Sequence, residues 1–129
     1  MTAWVLDTSV LTPFRDGDER VTEKLLALNG QRLMSIVSRV ELEGGVAREP
    51  ANQASRRLAL DLLLTGIKVL PFGDEDAEIY GKIVEKAGYS RRKILDRMIA
   101  AQALMADAIL VTFNPEDFAD IPDLKVHSL

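Results

Sequence analysis

Four acidic residues, far apart in the sequence, are placed where their carboxylates could act together in catalysis. They are, in chain order, Asp7, Glu41, Asp96 and Asp117. Three of them follow short apolar runs typical of buried strands, and Asp96 lies near the start of an apolar helical segment. Ligands of open parallel sheets bind beyond the carboxyl ends of the strands. The sequence therefore predicts that the four carboxylates converge at one edge of a sheet.

Such a cluster is costly without a cation, because like charges a few ångströms apart repel one another. The chain has no cysteine and a single histidine, His127, which excludes thiolate sites and sites built from several imidazoles. The expected cofactor is therefore a hard, oxygen-bound ion, either Mg²⁺ or Mn²⁺. Ions of this kind activate water and stabilise an in-line phosphoryl displacement.

Each acid also has a purely structural interpretation. Asp7 is consistent with a turn or a helix N-cap, and Glu41 with a capping box completed by Ser38. Asp96 is consistent with a favourable interaction with the helix dipole, and Asp117 with a loop that begins a helix. The apolar neighbours of Asp96 make an unpaired carboxylate expensive there. The four acids together therefore favour the metal site.

Strands and helices alternate along the chain. We expect buried strands at 3–7, 33–37, 67–72 and 108–112, and an edge strand at 124–129. We expect helices at 19–29, 52–64, 75–87 and 94–108. A further helix is expected to begin with Ser38 as its N-cap and to include Glu41. Because the strands are continuous apolar runs, the sheet should be mainly parallel and covered on both faces. The predicted fold is α/β, a three-layer α/β/α sandwich, in a single domain over residues 1–129.

Composition and charge exclude several classes of protein. Apolar residues make up 47% of the chain, which indicates a globular protein with a buried core. The net charge of −4 argues against a protein that coats DNA without sequence preference, because such binding depends on Lys and Arg. The sequence has no basic leader followed by an apolar stretch and no apolar run long enough to span a membrane. We expect a cytoplasmic protein with no membrane association.

With these segments assigned, the chain resembles the PIN-domain ribonucleases, specifically the VapC-type toxins of bacterial toxin–antitoxin pairs. The resemblance covers essentially the full length and depends on four blocks in a fixed order. They are "VLDTSVL", "SIVSRVELEGGV", "ILDRMIAAQAL" and "AILVTFNPEDFADIPDLKV". The resemblance implies a PIN-like fold and a metal-dependent endoribonuclease that hydrolyses RNA phosphodiesters. It also implies a cognate antitoxin protein and a homodimer.

The resemblance further implies a role for each acid. Asp7, Glu41 and Asp96 match the three most constant acids of the family. The fourth acidic position is less well defined, because Asn114 occupies a slot that is often Asp in relatives and Asp117 occupies a nearby acidic slot. We favour Asp117 as the acid and Asn114 as a polar neighbour.

Hydroxyl and basic residues complete the expected site. Thr8 and Ser9 follow the family's "DT[NS]" pattern, and with Thr112 they are expected to orient Asp7 or a water molecule. Basic residues on both sides of Asp96 are candidates for contacts with RNA phosphates, although a run of charges is also typical of a solvated surface. They are Arg91, Arg92, Lys93 and Arg97.

Two interpretations of the rest of the chain stay open at this point. Leu11, Phe14, Leu25 and Leu28 are candidates for an antitoxin groove or, taken singly, for the hydrophobic core. The alternative function is a non-catalytic PIN-like binding module that acts through protein partners. Stabilisation by Mn²⁺ distinguishes the two functions, because only a true metal site gives it.

Overall fold

Five parallel strands form one sheet in the computed structural model, which describes every residue from Met1 to Leu129. The strands are β1 (Ala3–Leu6), β2 (Gln31–Ser35), β3 (Lys68–Leu70), β4 (Ile109–Thr112) and β5 (Val126–Ser128). Their order across the sheet is β3-β2-β1-β4-β5, and every neighbouring pair is parallel. The prediction of a mainly parallel sheet is therefore confirmed.

Six helices connect and cover the strands. They are α1 (Thr8–Arg15), α2 (Glu19–Leu26), α3 (Ile36–Arg48), α4 (Gln53–Gly66), α5 (Asp74–Ala87) and α6 (Ile94–Met105). Short 3₁₀ turns occupy Pro50–Asn52, Arg91–Lys93 and Pro115–Phe118. None of the helices combines the length and the apolar character needed to cross a membrane.

Successive residues of the central strands enter two separate hydrophobic cores. Val5 packs in one core with Ile83 of α5 and Ile99 of α6. Leu6, the next residue, packs in a second core with side chains of α2 and α4, including Leu25 and Leu60. Side chains alternate across a strand, so burial of both residues requires helices on both faces. The three-layer α/β/α sandwich is confirmed.

The sheet reverses its winding direction between β1 and β4. The chain proceeds from β1 through β2 to β3 on one side, whereas β4 and β5 lie on the other side of β1. A reversal of this kind leaves a crevice beyond the carboxyl ends of the two central strands. Asp7 directly follows β1 and Thr112 ends β4, so both residues face this crevice.

Two local predictions were incomplete or wrong. The helices assigned above include none at Thr8–Arg15, but α1 forms there with Val10 and Leu11 buried. The expected strand 33–37 ends at Ser35, and Ser35 rather than Ser38 is the N-cap of α3, since its hydroxyl accepts a hydrogen bond from the Val37 amide at 2.9 Å. The apolar run 33–37 combines the buried end of β2 with the first residues of α3.

Candidate active site

Asp7 lies directly after the carboxyl end of β1 and is held there by two hydroxyl groups. Its backbone amide continues the β1–β4 ladder by donating to the Val111 carbonyl at 2.9 Å. The hydroxyls of Ser9 and Thr112 donate to the same carboxylate oxygen, Oδ2, at 2.7 and 2.8 Å. Asp7 occupies the N-cap position of α1, but its side chain makes no capping bond. The buried carboxylate is therefore fixed toward the crevice rather than used by the helix.

Glu41 is connected to α1 through Thr8. The Thr8 hydroxyl donates to Glu41 Oε1 at 2.7 Å and lies 2.8 Å from the hydroxyl of Ser38, which is fully buried. Because α3 begins at Ile36, Glu41 stands in the second turn of the helix and the predicted capping box with Ser38 does not form. Thr8 therefore orients Glu41, whereas the sequence had suggested that it orients Asp7.

Asp96 is half-buried in the first turn of α6, and the charges of the three other acids act on its carboxylate. Burial and the negative charges of Asp7, Asp117 and Glu41 raise the pKa of Asp96 to about 6, against the opposing effect of Lys93. A charge acts on a neighbour's pKa in this way only over a short distance. The four carboxylates therefore belong to one electrostatic cluster.

The 3₁₀ turn Pro115–Phe118 brings the fourth acid to this cluster. Asp117 lies within the turn and acts on Asp96, whereas Asn114 is the exposed N-cap residue and its side chain makes no capping bond. The Asn114 backbone amide donates to the Thr112 hydroxyl at 3.0 Å. Asn114 thus supports Thr112 through its backbone, and Asp117 stays the predicted fourth acid.

The donor set fits a hard divalent cation. Every charged group in the cluster is a carboxylate, and both hydroxyl donors on Asp7 use Oδ2, so Oδ1 is left for a ligand. No three acids approach one another closely enough to form a ready-made coordination shell without an ion, as expected for like charges with no cation between them. Asp7, Glu41, Asp96 and Asp117 are the residues that would hold such an ion.

The basic residues around Asp96 divide into two pairs. Arg91 and Arg92 are exposed on the 3₁₀ turn before α6. Lys93 instead donates to Asp120 Oδ2 at 3.2 Å, and Arg97 is only 2% exposed, with its guanidinium bonded to Asp120 and to the Gly88 carbonyl. The expected contact of Arg97 with RNA is therefore wrong, because its guanidinium is enclosed within the protein.

Apolar surface lies next to the acids, but not where the sequence suggested. Leu11 and Leu25 are fully buried core residues, and Phe14 and Leu28 pack against the same core. Of the two interpretations left open for these four residues, the structure therefore favours the hydrophobic core. An open apolar cleft instead lies between α3 and α6, beside Glu41, where Val40 is 64% and Leu95 is 49% exposed. Its other lining residues are Ile36, Val37 and Met98.

Two polar residues of this region were missed in the sequence. Ser38 was interpreted only as a helix cap, although its spacing of three residues from Glu41 places both side chains on one helix face. Asp120 gave no signal, because its partners Lys93 and Arg97 lie on a different element, 27 and 23 residues earlier in the chain. Contacts of this kind follow only from the assembled fold.

Comparison with known proteins defines the class to which this architecture belongs. The family profile of the PIN domain matches residues 4–124. The VapBC2 structure of Rickettsia felis, bound to a DNA fragment from its promoter, superposes with a TM-score of 0.84 at 24% identity and covers 98% of both chains. FitAcB of Neisseria gonorrhoeae superposes with a TM-score of 0.80 at 28% identity, over 97% of this chain and 96% of that chain. The chain belongs to the PIN domain family.

Within this family the chain is similar to proteins named ribonuclease VapC. Ribonuclease VapC of Rickettsia bellii (strain RML369-C) is 28% identical over 127 residues, which cover 95% of this chain and 92% of the relative. Ribonuclease VapC1 of Rickettsia felis (strain ATCC VR-1525 / URRWXCal2) is 30% identical over 129 residues, with the same coverage. The resemblance to VapC-type PIN-domain ribonucleases is confirmed.

Proposed function

We propose that this chain is a divalent-metal-dependent endoribonuclease and the toxin of a toxin–antitoxin pair. The observation that carries the proposal is the set of four carboxylates beyond the carboxyl ends of β1 and β4, where Asp7, Asp117 and Glu41 all help to raise the pKa of Asp96. No Lys or Arg forms an ion pair with any of the four. An external cation is the simplest means of balancing this charge.

The proposed chemistry assigns a task to each side chain. Asp7, Glu41 and Asp96 hold Mg²⁺ or Mn²⁺, and Asp117 supports the same ion or a second one. When bound, the ion lowers the pKa of water and stabilises charge on the phosphate. The water oxygen bonds to phosphorus in line with the breaking P–O3′ bond, while Glu41 or Asp96 accepts a proton from that water. A solvent water protonates the departing 3′-oxygen, so the products are a 5′-phosphate and a 3′-hydroxyl. The Ser9 and Thr112 hydroxyls keep Asp7 oriented throughout.

RNA contacts are assigned to Arg91 and Arg92. Both are exposed, lie a short distance before Asp96 in the chain and are free of ion pairs. Arginine binds phosphate oxygens and fixes the register of a nucleic acid without reading its sequence. Lys93 is partly occupied by Asp120, so we expect it to contribute less.

Protein partners follow from the family. One structural relative, from Klebsiella pneumoniae, is described as a toxin–antitoxin complex, and we propose a cognate antitoxin here, with the cytoplasm as the site of action. We also propose a homodimer, for which the apolar cleft between α3 and α6 supplies a surface that can pair with itself. Sedimentation of a Val40→Glu variant tests the dimer, which the buried charge should dissociate.

Cleavage of RNA tests the catalytic proposal. The purified chain and its Asp96→Asn variant are incubated with total RNA in Mg²⁺, in Mn²⁺ and in EDTA. We expect metal-dependent cleavage by the wild type alone, because Asp96→Asn removes a ligand at the centre of the cluster while preserving the shape of the side chain. Mapping of fragment ends then identifies the cleaved RNA and checks for 5′-phosphates.

Asp107→Asn is the matched control, since it makes the same chemical change at a side chain that is 94% exposed and far from the acids in the fold. Its positive φ of 50° is one that Asn adopts readily. Equal cleavage by Asp96→Asn and wild type would contradict the proposed site. No cleavage in any condition, with antitoxin removed and several RNA pools tried, would favour a non-catalytic binding module.

A further inference from the structure

An ion-pair cluster in which only Arg97 is buried joins the helix that carries Asp96 to the loop that carries Asp117. Arg97 Nη2 donates to Asp120 Oδ2 at 3.1 Å, and Lys93 Nζ donates to the same oxygen at 3.2 Å. The Arg97 guanidinium also donates to the Gly88 carbonyl, which precedes α6. We call Lys93, Arg97 and Asp120 the α6–loop clamp.

The clamp is a poor device for stability alone. Arg97 is among the largest fully buried side chains of the chain, and its Nε has no hydrogen-bond partner. Burying a guanidinium requires desolvation that an ion pair offsets only in part, whereas an apolar side chain of similar size would pack at lower cost. Position, rather than stability, is the property that this ion pair is suited to control, since it fixes Asp120 relative to α6.

The repulsion between Asp96 and Asp117 gives the clamp a task. Both are acidic, and the charge of Asp117 helps to raise the pKa of Asp96, so without a cation their repulsion opposes the packing of the 3₁₀ turn against α6. Asp120 follows Asp117 by three residues, and turn hydrogen bonds link the segment continuously, from Asp117 to Asn114 and from Ala119 to Glu116. A tether on Asp120 therefore transmits its position to Asp117.

We infer that Arg97, assisted by Lys93, is a positioning residue that holds the Asp117 loop against α6 through Asp120, so that the site is organised before the ion binds. This inference rests on the proposed metal site and goes beyond it. Groups that orient metal ligands without contacting the metal typically contribute about 10- to 100-fold to metal affinity. We therefore expect Asp120→Asn and Arg97→Met each to weaken Mn²⁺ binding by about ten-fold or more.

Arg97→Met separates positioning from simple electrostatics. Removing a positive charge near a cation site should tighten Mn²⁺ binding if only Coulomb forces act. If Arg97 positions the Asp117 loop, the same change should weaken binding. Arg97→Lys keeps the charge but not the guanidinium fork that spans Gly88 and Asp120, so we expect an affinity between those of wild type and Arg97→Met.

The experiment is calorimetric titration of the full-length chain with MnCl₂, with circular dichroism in EDTA to verify that each variant is folded. Asp123→Asn is the control for Asp120→Asn, because Asp123 is an exposed acid of the same loop that makes no ion pair. Should Arg97→Met not fold, Asp120→Asn decides, since Asp120 is exposed and asparagine keeps the shape of its side chain, with circular dichroism verifying that this variant is folded.

Three results would be informative. Weaker Mn²⁺ binding by Arg97→Met and Asp120→Asn, with Asp123→Asn unchanged, supports the clamp. Folded Arg97→Met that binds Mn²⁺ as tightly as wild type or more tightly, or Asp120→Asn that matches Asp123→Asn, overturns the clamp and leaves the proposed function intact. A wild-type chain that binds no Mn²⁺ overturns the proposed metal site and the clamp with it.

Discussion

Glu43 and Asp96 are two carboxylates in opposite surroundings. Glu43 accepts hydrogen bonds from Arg57 and Arg39, which lower its pKa to about 2 even though burial acts in the other direction. Asp96 accepts no side-chain hydrogen bond, and burial together with three nearby acids raises its pKa to about 6. The first carboxylate is satisfied by the protein itself. The Asp96 carboxylate has no such partner within the protein and is left for an external cation.

The same division holds along a single helix. Glu41 and Glu43 stand two residues apart on α3, so their side chains point in different directions. Glu43 lies in a network with Arg39, Arg57 and Asp61, whereas Glu41 contacts only the neutral hydroxyl of Thr8. What distinguishes a candidate metal ligand here is the absence of a basic partner, and not its acidity or its burial.

The largest effect that tests this contrast is stabilisation by metal. An ion that binds only the folded chain adds about 2.7 kcal/mol to the free energy of unfolding at 100 times its Kd. We expect Mn²⁺ to stabilise the wild type and Glu43→Gln equally and to leave Asp96→Asn unchanged. Urea unfolding with and without MnCl₂ measures this, and full stabilisation of Asp96→Asn would contradict the assignment of Asp96.

Asp7 offers a third arrangement, a buried carboxylate whose partners are neutral hydroxyls. Thr112→Val keeps the shape of the fully buried side chain but removes one donor to Asp7 Oδ2. A buried charged group that loses a hydrogen bond costs about 1 to 3 kcal/mol, so we expect a loss of about 2 kcal/mol in urea unfolding in EDTA.

Thr22→Val is the control for this variant, because the Thr22 hydroxyl bonds only to a backbone carbonyl near the surface. We expect it to change the free energy of unfolding by less than about 0.5 kcal/mol. Equal effects of the two substitutions would mean that the hydroxyl of Thr112 is not needed to hold Asp7.

The acids were predictable from the sequence because their signal is topological. An acid directly after a buried strand, as at Asp7, lies at the sheet edge where ligands bind, whatever the details of packing. Asp96 followed from its place at the start of an apolar helix. Glu41 lies near the same edge although its helix begins earlier than expected, since an error of a few residues in a helix boundary moves the residue little relative to the sheet.

Side-chain partners were not predictable, because they depend on contacts between distant segments. Arg97 follows Asp96 directly and was expected to reach RNA, yet the packing of Asp120 against α6 encloses it. Thr8 was expected, from the family pattern, to orient Asp7 or a water molecule, but the packing of α1 beside α3 lets its hydroxyl donate to Glu41. Local sequence was enough to predict where the acids lie along the fold, whereas their hydrogen-bond partners follow only from the assembled fold.

The smallest predicted effect is a pair of pH dependences of opposite sign in metal-free protein. The pKa of Asp96 is raised from 3.8 to about 6, so its favourable contribution is complete below pH 3.8 and is lost as pH rises through about 6. The pKa of Glu43 is lowered from 4.5 to about 2, so its contribution is present above pH 4.5 and is lost as pH falls toward 2.

Urea unfolding in EDTA between pH 3 and pH 8 resolves the two when each variant is compared with wild type. As the pH rises, we expect the free energy of unfolding of the wild type to fall by about 1 to 2 kcal/mol relative to that of Asp96→Asn. The effect is smaller than the full pKa shift would give, because solvent screens part of it. The difference for Glu43→Gln should stay below about 1 kcal/mol and shrink toward low pH, because this ion pair is partly exposed. If Asp96→Asn instead followed the same pH trend as Glu43→Gln, the Asp96 carboxylate would have a partner within the protein, and the contrast between the two acids would no longer identify a metal site.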